Sequence, residues 1–214
     1  MDRSRLEAFS DGVFAVAITL LALSLVVAGP GLGKAHPPLP TQLGLLWPSF
    51  LAYLVSFFMI GIVWVNHHVL VKAITAVDRT LLFLNLVLLL FVVLVPFATA
   101  TVADYRLKWS WDARVSVALY ALVFFGLSVG FGSIFEWTLH GQRVARPVPP
   151  EQHWRARIRF VGGGLVYLVA LGVALVNAVA GFVLIALVAV YYILEQTPSS
   201  SPAPDAGEDG TQSP

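Results

Sequence analysis

The residues with the clearest chemical potential stand at the start of the first apolar segment. Arg5 precedes this segment, and Ser10 and Asp11 lie where its apolar run begins. Serine or aspartate at this place could cap free backbone amides, and a carboxylate suits the positive end of a helix. Alternatively, the three residues belong to a buried network between helices, because ionisable groups in apolar surroundings usually have a partner. Capping alone does not account for all three residues, so the network is the preferred interpretation.

A second polar group consists of Trp64, Asn66, His67 and His68. Adjacent histidines point about 100° apart on a helix, so they do not share a face as an i, i+4 pair of metal ligands would. We therefore predict no resident metal site here. We expect one histidine, His67, to reach a carboxylate such as Asp11, and the other to lie near the lipid headgroups.

Several function classes are excluded by what the chain does not contain. It has no cysteine, which removes disulfides, thiolate metal sites and a cysteine nucleophile. Its net charge of +1 does not favour a nucleic-acid partner. No nucleophile elbow, phosphate loop, paired intramembrane carboxylates or zinc-type histidine spacing occurs in the sequence. We predict that the protein is not an enzyme and has no cofactor.

The composition predicts an all-α integral membrane protein. The 214 residues are 58% hydrophobic and 12% charged, far more apolar than a soluble domain. A helix needs roughly 20 mainly apolar residues to cross a bilayer. Six segments are predicted to do so, at about 9–28, 47–71, 80–102, 113–139, 158–176 and 178–194. They form a predicted transmembrane domain over residues 1–196, with a polar loop at 142–157 and a disordered tail at 197–214.

The distribution of basic residues predicts the orientation. With the N-terminus inside, nine Lys and Arg residues fall on the cytoplasmic side and four on the outer side. Both termini are therefore expected in the cytoplasm, with the protein in the plasma membrane. The first segment is not expected to be a cleaved signal peptide, because its apolar run is long and Asp11 stands at its start.

Small and polar residues inside the later segments predict helix contacts. Asn85 and Asn177 are expected to form interhelical or turn hydrogen bonds. Gly126 and Gly130 are four residues apart and predict close approach of a neighbouring helix.

The first segment also carries an apolar stripe. At about 100° per residue, Val16, Leu20 and Leu23 lie close together in angle. Phe9, Gly12 and Thr19 fall on the same side. Asp11 falls about 140° from Val16, towards neighbouring helices. Taken alone, such a stripe is more often a lipid-facing or helix-packing surface than a pathway.

The run from Arg5 to Leu21, with Phe9-Ser10-Asp11 inside it, resembles the signature of a potassium-channel family. This is the lysosomal/endosomal family of six-helix repeats with Phe-Ser-Asp in the first helix, together with its prokaryotic relatives. The second and third segments resemble the same family at Trp64, Asn66, His67, His68, Asn85, Pro96 and Thr99. The resemblance covers the first 100 residues well, and the hydropathy pattern of all six segments.

The resemblance implies a homotetramer in which the first helix of each subunit lines a central pore. It implies K⁺, with other monovalent cations, as the permeating ion, and no carbonyl selectivity filter. The apolar constriction would fall on Val16, Leu20 and Leu23, with Thr19 contributing to selectivity. The family commonly has Ile where this chain has Val16, which puts selectivity over Na⁺ in question. The structural motif network would comprise Arg5, Phe9, Ser10, Asp11, Trp64, Asn66 and His67.

Two other hypotheses remain open at this point. A proton-coupled secondary transporter could use Asp11 and His67, although no internal repeat supports it. A membrane scaffold without transport activity is the other.

Overall fold

The computed structural model describes residues 2–25, 38–105, 110–140 and 150–195. The elements in these ranges are helical. They are α1 (Arg3–Leu21) with a 3-10 turn (Ala22–Ser24), α2 (Leu39–Leu45), α3 (Trp47–Ala73), α4 (Arg79–Tyr105), α5 (Trp111–Leu139), α6 (Pro150–Val176) and α7 (Ala178–Glu195). The predicted tail at 197–214 lies outside the described residues.

Side-chain caps account for several helix starts. The Asp78 carboxylate, directly before α4, accepts a hydrogen bond at 2.8 Å from the Leu81 amide in the first turn of that helix. Ser110 accepts from the Ala113 amide at the start of α5. Asn177 separates α6 from α7, and its side-chain oxygen accepts from the Ala180 amide, which is the turn hydrogen bond expected of it.

The observed helices differ from the predicted segments in three places. Helix α1 begins at Arg3 instead of 9, and its α-helical part ends at Leu21; residues 26–28 lie outside the described part. Helix α2 lies between the first two predicted segments, and α6 begins at Pro150, inside the loop predicted at 142–157. At Arg3 and Pro150 the two helices begin earlier than predicted because hydropathy marks only the apolar part of a helix. Helical hydrogen bonding continues into polar residues, and proline is well tolerated in a first turn.

Four of the described helices are long and apolar enough to cross a membrane: α1 with its 3-10 turn, α3, α4 and α5. Gly162–Val176 in α6 and Ala178–Leu194 in α7 are shorter apolar stretches. The expectation of an all-helical membrane protein is confirmed at this level.

Helix α5 lies in the middle of the bundle, packed against α4 on one side and α6 and α7 on the other. Tyr120 and Phe124 are fully buried, with edge-to-face rings 4.8 Å apart. The predicted close approach at the glycines is present. A Cβ added at Gly130 would lie 3.0 Å from the Leu88 Cα of α4.

Helix α1 packs against α3 and α4 at the edge of this bundle. It therefore has one side in contact with the protein interior and another side that the described helices do not cover.

Candidate pore surface and its supporting network

The packed side of α1 has a regular spacing. Its buried residues recur at intervals of three or four, which places them on one helical stripe. They are Leu6, Ser10, Phe14, Ala17 and Leu21. Four of the five are apolar and belong to the main hydrophobic cluster with residues of α3, α4 and α5. This side attaches α1 to the rest of the molecule.

The predicted stripe lies on the uncovered side, about 130° around the helix from the packed side. Val16 is 57% exposed, Leu20 41% and Leu23 70%. Phe9 is exposed on the same side, and a Cβ added at Gly12 would meet nothing within 4 Å. The stripe is thus an apolar surface that this chain's own described helices leave free.

Thr19 lies exposed within this stripe. Its hydroxyl donates to the Val16 carbonyl at 2.8 Å. Because the proton is used inside the helix, the hydroxyl oxygen presents its lone pairs outward and can accept or coordinate.

A buried hydrogen-bonded chain connects α1, α4 and α3. The Ser10 hydroxyl donates to the Leu6 carbonyl at 2.9 Å, and its oxygen accepts from the Asn85 amide nitrogen at 3.0 Å. The Asn85 amide oxygen then faces His67 Nε2 at 2.8 Å. An oxygen can only accept, so His67 must carry its proton on Nε2. All three side chains, Ser10, Asn85 and His67, are buried.

This chain corrects the prediction that His67 reaches Asp11. His67 points into the buried contact between α1 and α4, where its ring also packs 5.5 Å from the Phe14 ring. Asp11 projects about 100° away from the centre of the packed side of α1, towards Trp64. Whether His67 meets Asp11 or Asn85 depends on how α1 and α3 are rotated about their axes. The sequence alone does not specify this rotation.

A second set of contacts joins α1 to α3 at the half-buried edge. Trp64 Nε1 donates to the Asp11 carboxylate at 2.8 Å. The Trp64 ring stacks on the His68 ring, 5.9 Å between centroids. His68 Nδ1 lies 2.9 Å from a Glu7 carboxylate oxygen. A histidine therefore does meet a carboxylate, but the pair is His68 with Glu7.

Two other members of the predicted network, Arg5 and Phe9, lie outside these contacts. Arg5 is exposed, and in the described ranges no hydrogen bond or ion pair joins its side chain to this network. Phe9 lies on the exposed stripe, and Asn66 is half-buried beside His67. Arg3 instead reaches α3, donating to the carbonyls of Lys72 and Ile74 at 3.1 and 3.4 Å.

Sequence reasoning missed the roles of Glu7 and Arg3. The spacing of Glu7 four residues before Asp11 was a usable signal, because such residues share a helix face. No pattern pointed to Arg3, since its acceptors are backbone carbonyls.

Taken together, the contacts hold the N-terminal half of α1 against α3 and α4. They also turn its polar groups away from the stripe. The described part of the chain leaves uncovered an apolar side of α1 that carries Thr19.

Comparison with known proteins shows which family this chain resembles. Residues 5–96 match the family described as endosomal/lysosomal potassium channel TMEM175. The chain is 42% identical over 202 residues to a protein of Streptomyces collinus named as a potassium channel, covering 92% of this chain and 94% of that protein. It is 34% identical over 196 residues to a similarly named protein of Chamaesiphon minutus, covering 90% of this chain and 94% of that one.

A solved structure supports the same relationship. The crystal structure of a lysosomal potassium-selective channel TMEM175 homologue from Chamaesiphon minutus superimposes with a TM-score of 0.78 at 31% identity. The match covers 92% of this chain and 98% of that one. The relatives are named as channels, which confirms that the protein is not an enzyme. The resemblance based on the Phe9-Ser10-Asp11 motif is likewise confirmed, and the chain belongs to the endosomal/lysosomal potassium channel TMEM175 family.

Proposed function

We propose that the protein is a potassium-preferring cation channel whose pore is lined by α1 of each subunit. The observation that carries this proposal is the apolar side of α1 that the described helices leave uncovered, away from the side that packs on α3 and α4. The names of the bacterial relatives, which are potassium channels, support the choice of ion.

One chain supplies only one wall, so the proposal requires several copies around an axis. Four subunits, arranged with α1 innermost, would bring the stripes of Val16, Leu20 and Leu23 together as apolar rings. Such rings form a dewetting barrier. A cation passes when the ring is wide enough for the ion to keep part of its hydration shell.

Preference for K⁺ then follows from hydration, because K⁺ gives up water more readily than Na⁺. Thr19 would contribute through the outward lone pairs of its hydroxyl oxygen, which lies between the rings of Val16 and Leu23. Val16 is one methylene smaller than the Ile common in the family, so we expect its ring to be wider and the preference over Na⁺ to be modest.

The proposed topology has six membrane-spanning helices, α1 and α3 to α7, in a channel domain over residues 1–196. Both termini lie in the cytoplasm of a plasma-membrane protein. The excess of Lys and Arg on one side supports this orientation. The hairpin of α6 and α7 at Asn177 supports the helix count, since its two arms must run in opposite directions.

Ion flux into liposomes tests the proposal. Purified protein is reconstituted, and K⁺, Na⁺ and H⁺ fluxes are measured separately. Leu23→Ala and Val16→Ala should raise flux and lower the ratio of K⁺ to Na⁺, because each widens an apolar ring. Leu187→Ala is the matched control, since Leu187 is a similarly exposed leucine on α7.

The outcomes separate the three hypotheses. Unchanged flux and selectivity in Leu23→Ala and Val16→Ala would refute the assignment of the constriction. Saturable flux that moves K⁺ and H⁺ together, at rates well below those of a channel, would favour the transporter. Absence of K⁺, Na⁺ and H⁺ flux through a correctly assembled oligomer would favour the membrane scaffold.

A further inference from the structure

We propose that Glu7, Asp11 and His68 form a binding site for a divalent transition-metal ion of the Zn²⁺ type, which bridges α1 and α3. One ligand atom from each residue lies within 4.8 Å of the others. The site lies on a different side of α1 from the apolar stripe, so metal binding and ion flux can be measured independently.

The geometry comes from both helices. Glu7 and Asp11 are four residues apart and share a face of α1. His68 comes from α3 and places Nδ1 2.9 Å from a Glu7 oxygen. Two atoms on one metal at bond lengths of about 2.0–2.2 Å are separated by about 3 Å when they are adjacent ligands. The Glu7 and His68 donors already have this separation, and a change in a carboxylate rotamer would bring Asp11 to the same ion.

The charge balance of the cluster favours a cation. Two carboxylates at i, i+4 repel one another on a helix. Both are only partly exposed, so solvent screens this repulsion incompletely. Within the described residues, no Lys or Arg forms an ion pair with either carboxylate, and the only such contact is with His68. The guanidinium of Arg3 is directed to backbone carbonyls of Lys72 and Ile74 instead.

The Trp64 side chain orients two of the proposed ligands, Asp11 and His68. Trp64 donates to one Asp11 oxygen at 2.8 Å and also stacks on the His68 ring, 29° from parallel. Metal ligands are commonly held by such hydrogen bonds, which fix their orientation before the ion arrives. The other Asp11 oxygen is left for coordination.

The donor set indicates the class of ion. One imidazole nitrogen with two carboxylates suits Zn²⁺ and similar transition metals, with water completing the coordination. Mg²⁺ and Ca²⁺ prefer oxygen-only ligands.

Calorimetric titration of the full-length protein with ZnCl₂, in detergent and a KCl buffer, tests the site. We expect one Zn²⁺ per chain, and Mg²⁺ in excess should not compete. Glu7→Gln and His68→Gln should each weaken binding by at least about tenfold, and Trp64→Phe should weaken it by about tenfold through loss of the indole N–H. His140→Gln is the control, because His140 is an exposed histidine at the far end of α5 that contacts the Glu136 carbonyl.

A second measurement on unaltered protein guards against misfolded variants. Bound Co²⁺ should give visible d–d absorption that Zn²⁺ abolishes in a one-to-one titration. Absence of Zn²⁺ binding by the unaltered protein, wild-type affinity in Glu7→Gln and His68→Gln, or loss of binding in His140→Gln would each overturn the proposal. Absence of the Co²⁺ band would do the same.

Discussion

Replacing Asn85 with leucine tests the buried chain that connects α1, α4 and α3. Leucine has nearly the same size, so the substitution removes two hydrogen bonds, at 3.0 Å to Ser10 and 2.8 Å to His67, without opening a large cavity. Hydrogen bonds of this kind contribute about 0.6–1.5 kcal/mol each, so we expect a loss of about 1–3 kcal/mol in the free energy of unfolding. The His67 ring would be left with a buried donor.

A double-mutant cycle with Ser10→Ala isolates the Ser10–Asn85 bond. Ser10→Ala and Asn85→Leu should together cost less than the sum of the two single changes, by about 0.6–1.5 kcal/mol, because the shared bond is lost only once. Ser133→Ala is a matched control. Its hydroxyl donates to the Val129 carbonyl four residues earlier in the same helix, as Ser10 does to Leu6, and within the described residues it has no bond to another helix.

The assay is unfolding in mixed micelles with increasing denaturing detergent, followed by far-ultraviolet circular dichroism. Ser133→Ala should change the unfolding free energy by less than about 0.5 kcal/mol and be additive with Asn85→Leu. Additivity of Ser10→Ala with Asn85→Leu within about 0.3 kcal/mol would show that the bond makes no contribution, and the reasoning would be wrong.

The remaining predictions concern packing and a second polar cluster, and all use the same unfolding assay. Gly130→Ala should destabilise by about 1–3 kcal/mol, because the new Cβ would lie 3.0 Å from the Leu88 backbone, which cannot rotate away. Gly172→Ala meets nothing within 4 Å, and should be neutral or stabilise by up to about 1 kcal/mol through helix propensity. Equal effects of the two glycine substitutions would contradict the close contact of α4 and α5. Tyr120→Phe removes the 2.7 Å hydrogen bond to Ser56 in the centre of the bundle, and should cost about 0.5–1.5 kcal/mol; no loss would mean that this bond is offset by other interactions.

Much of the fold could be predicted from the sequence because its causes are local. A continuous apolar run has to be helical in lipid, since no water satisfies its backbone groups there. Asn177 was recognised as a turn residue, and Gly126 with Gly130 as a contact surface, from residue type and spacing alone. The helix ends were less accurate at Arg3 and Pro150, because polar residues continue a helix without any change in hydropathy.

Part of the candidate site could also be predicted from the sequence, again because its causes are local. That Ser10 and Asp11 need partners follows from their positions in an apolar run, and the angular stripe of Val16, Leu20 and Leu23 follows from helix geometry. The role of this stripe as a constriction remains a prediction, which flux measurements on the substituted protein will decide.

The choice of partners required the tertiary structure. The sequence by itself determined the long apolar helices, the side of α1 that carries the apolar stripe and the family motif, because these depend on residues near one another in the chain. Only the packing of α1 on α3 and α4 decided that His67 bonds Asn85, that Asp11 meets Trp64, and that Glu7 meets His68. Those pairings depend on how far each helix is rotated and shifted against its neighbours, which is settled by the fit of all the buried side chains at once.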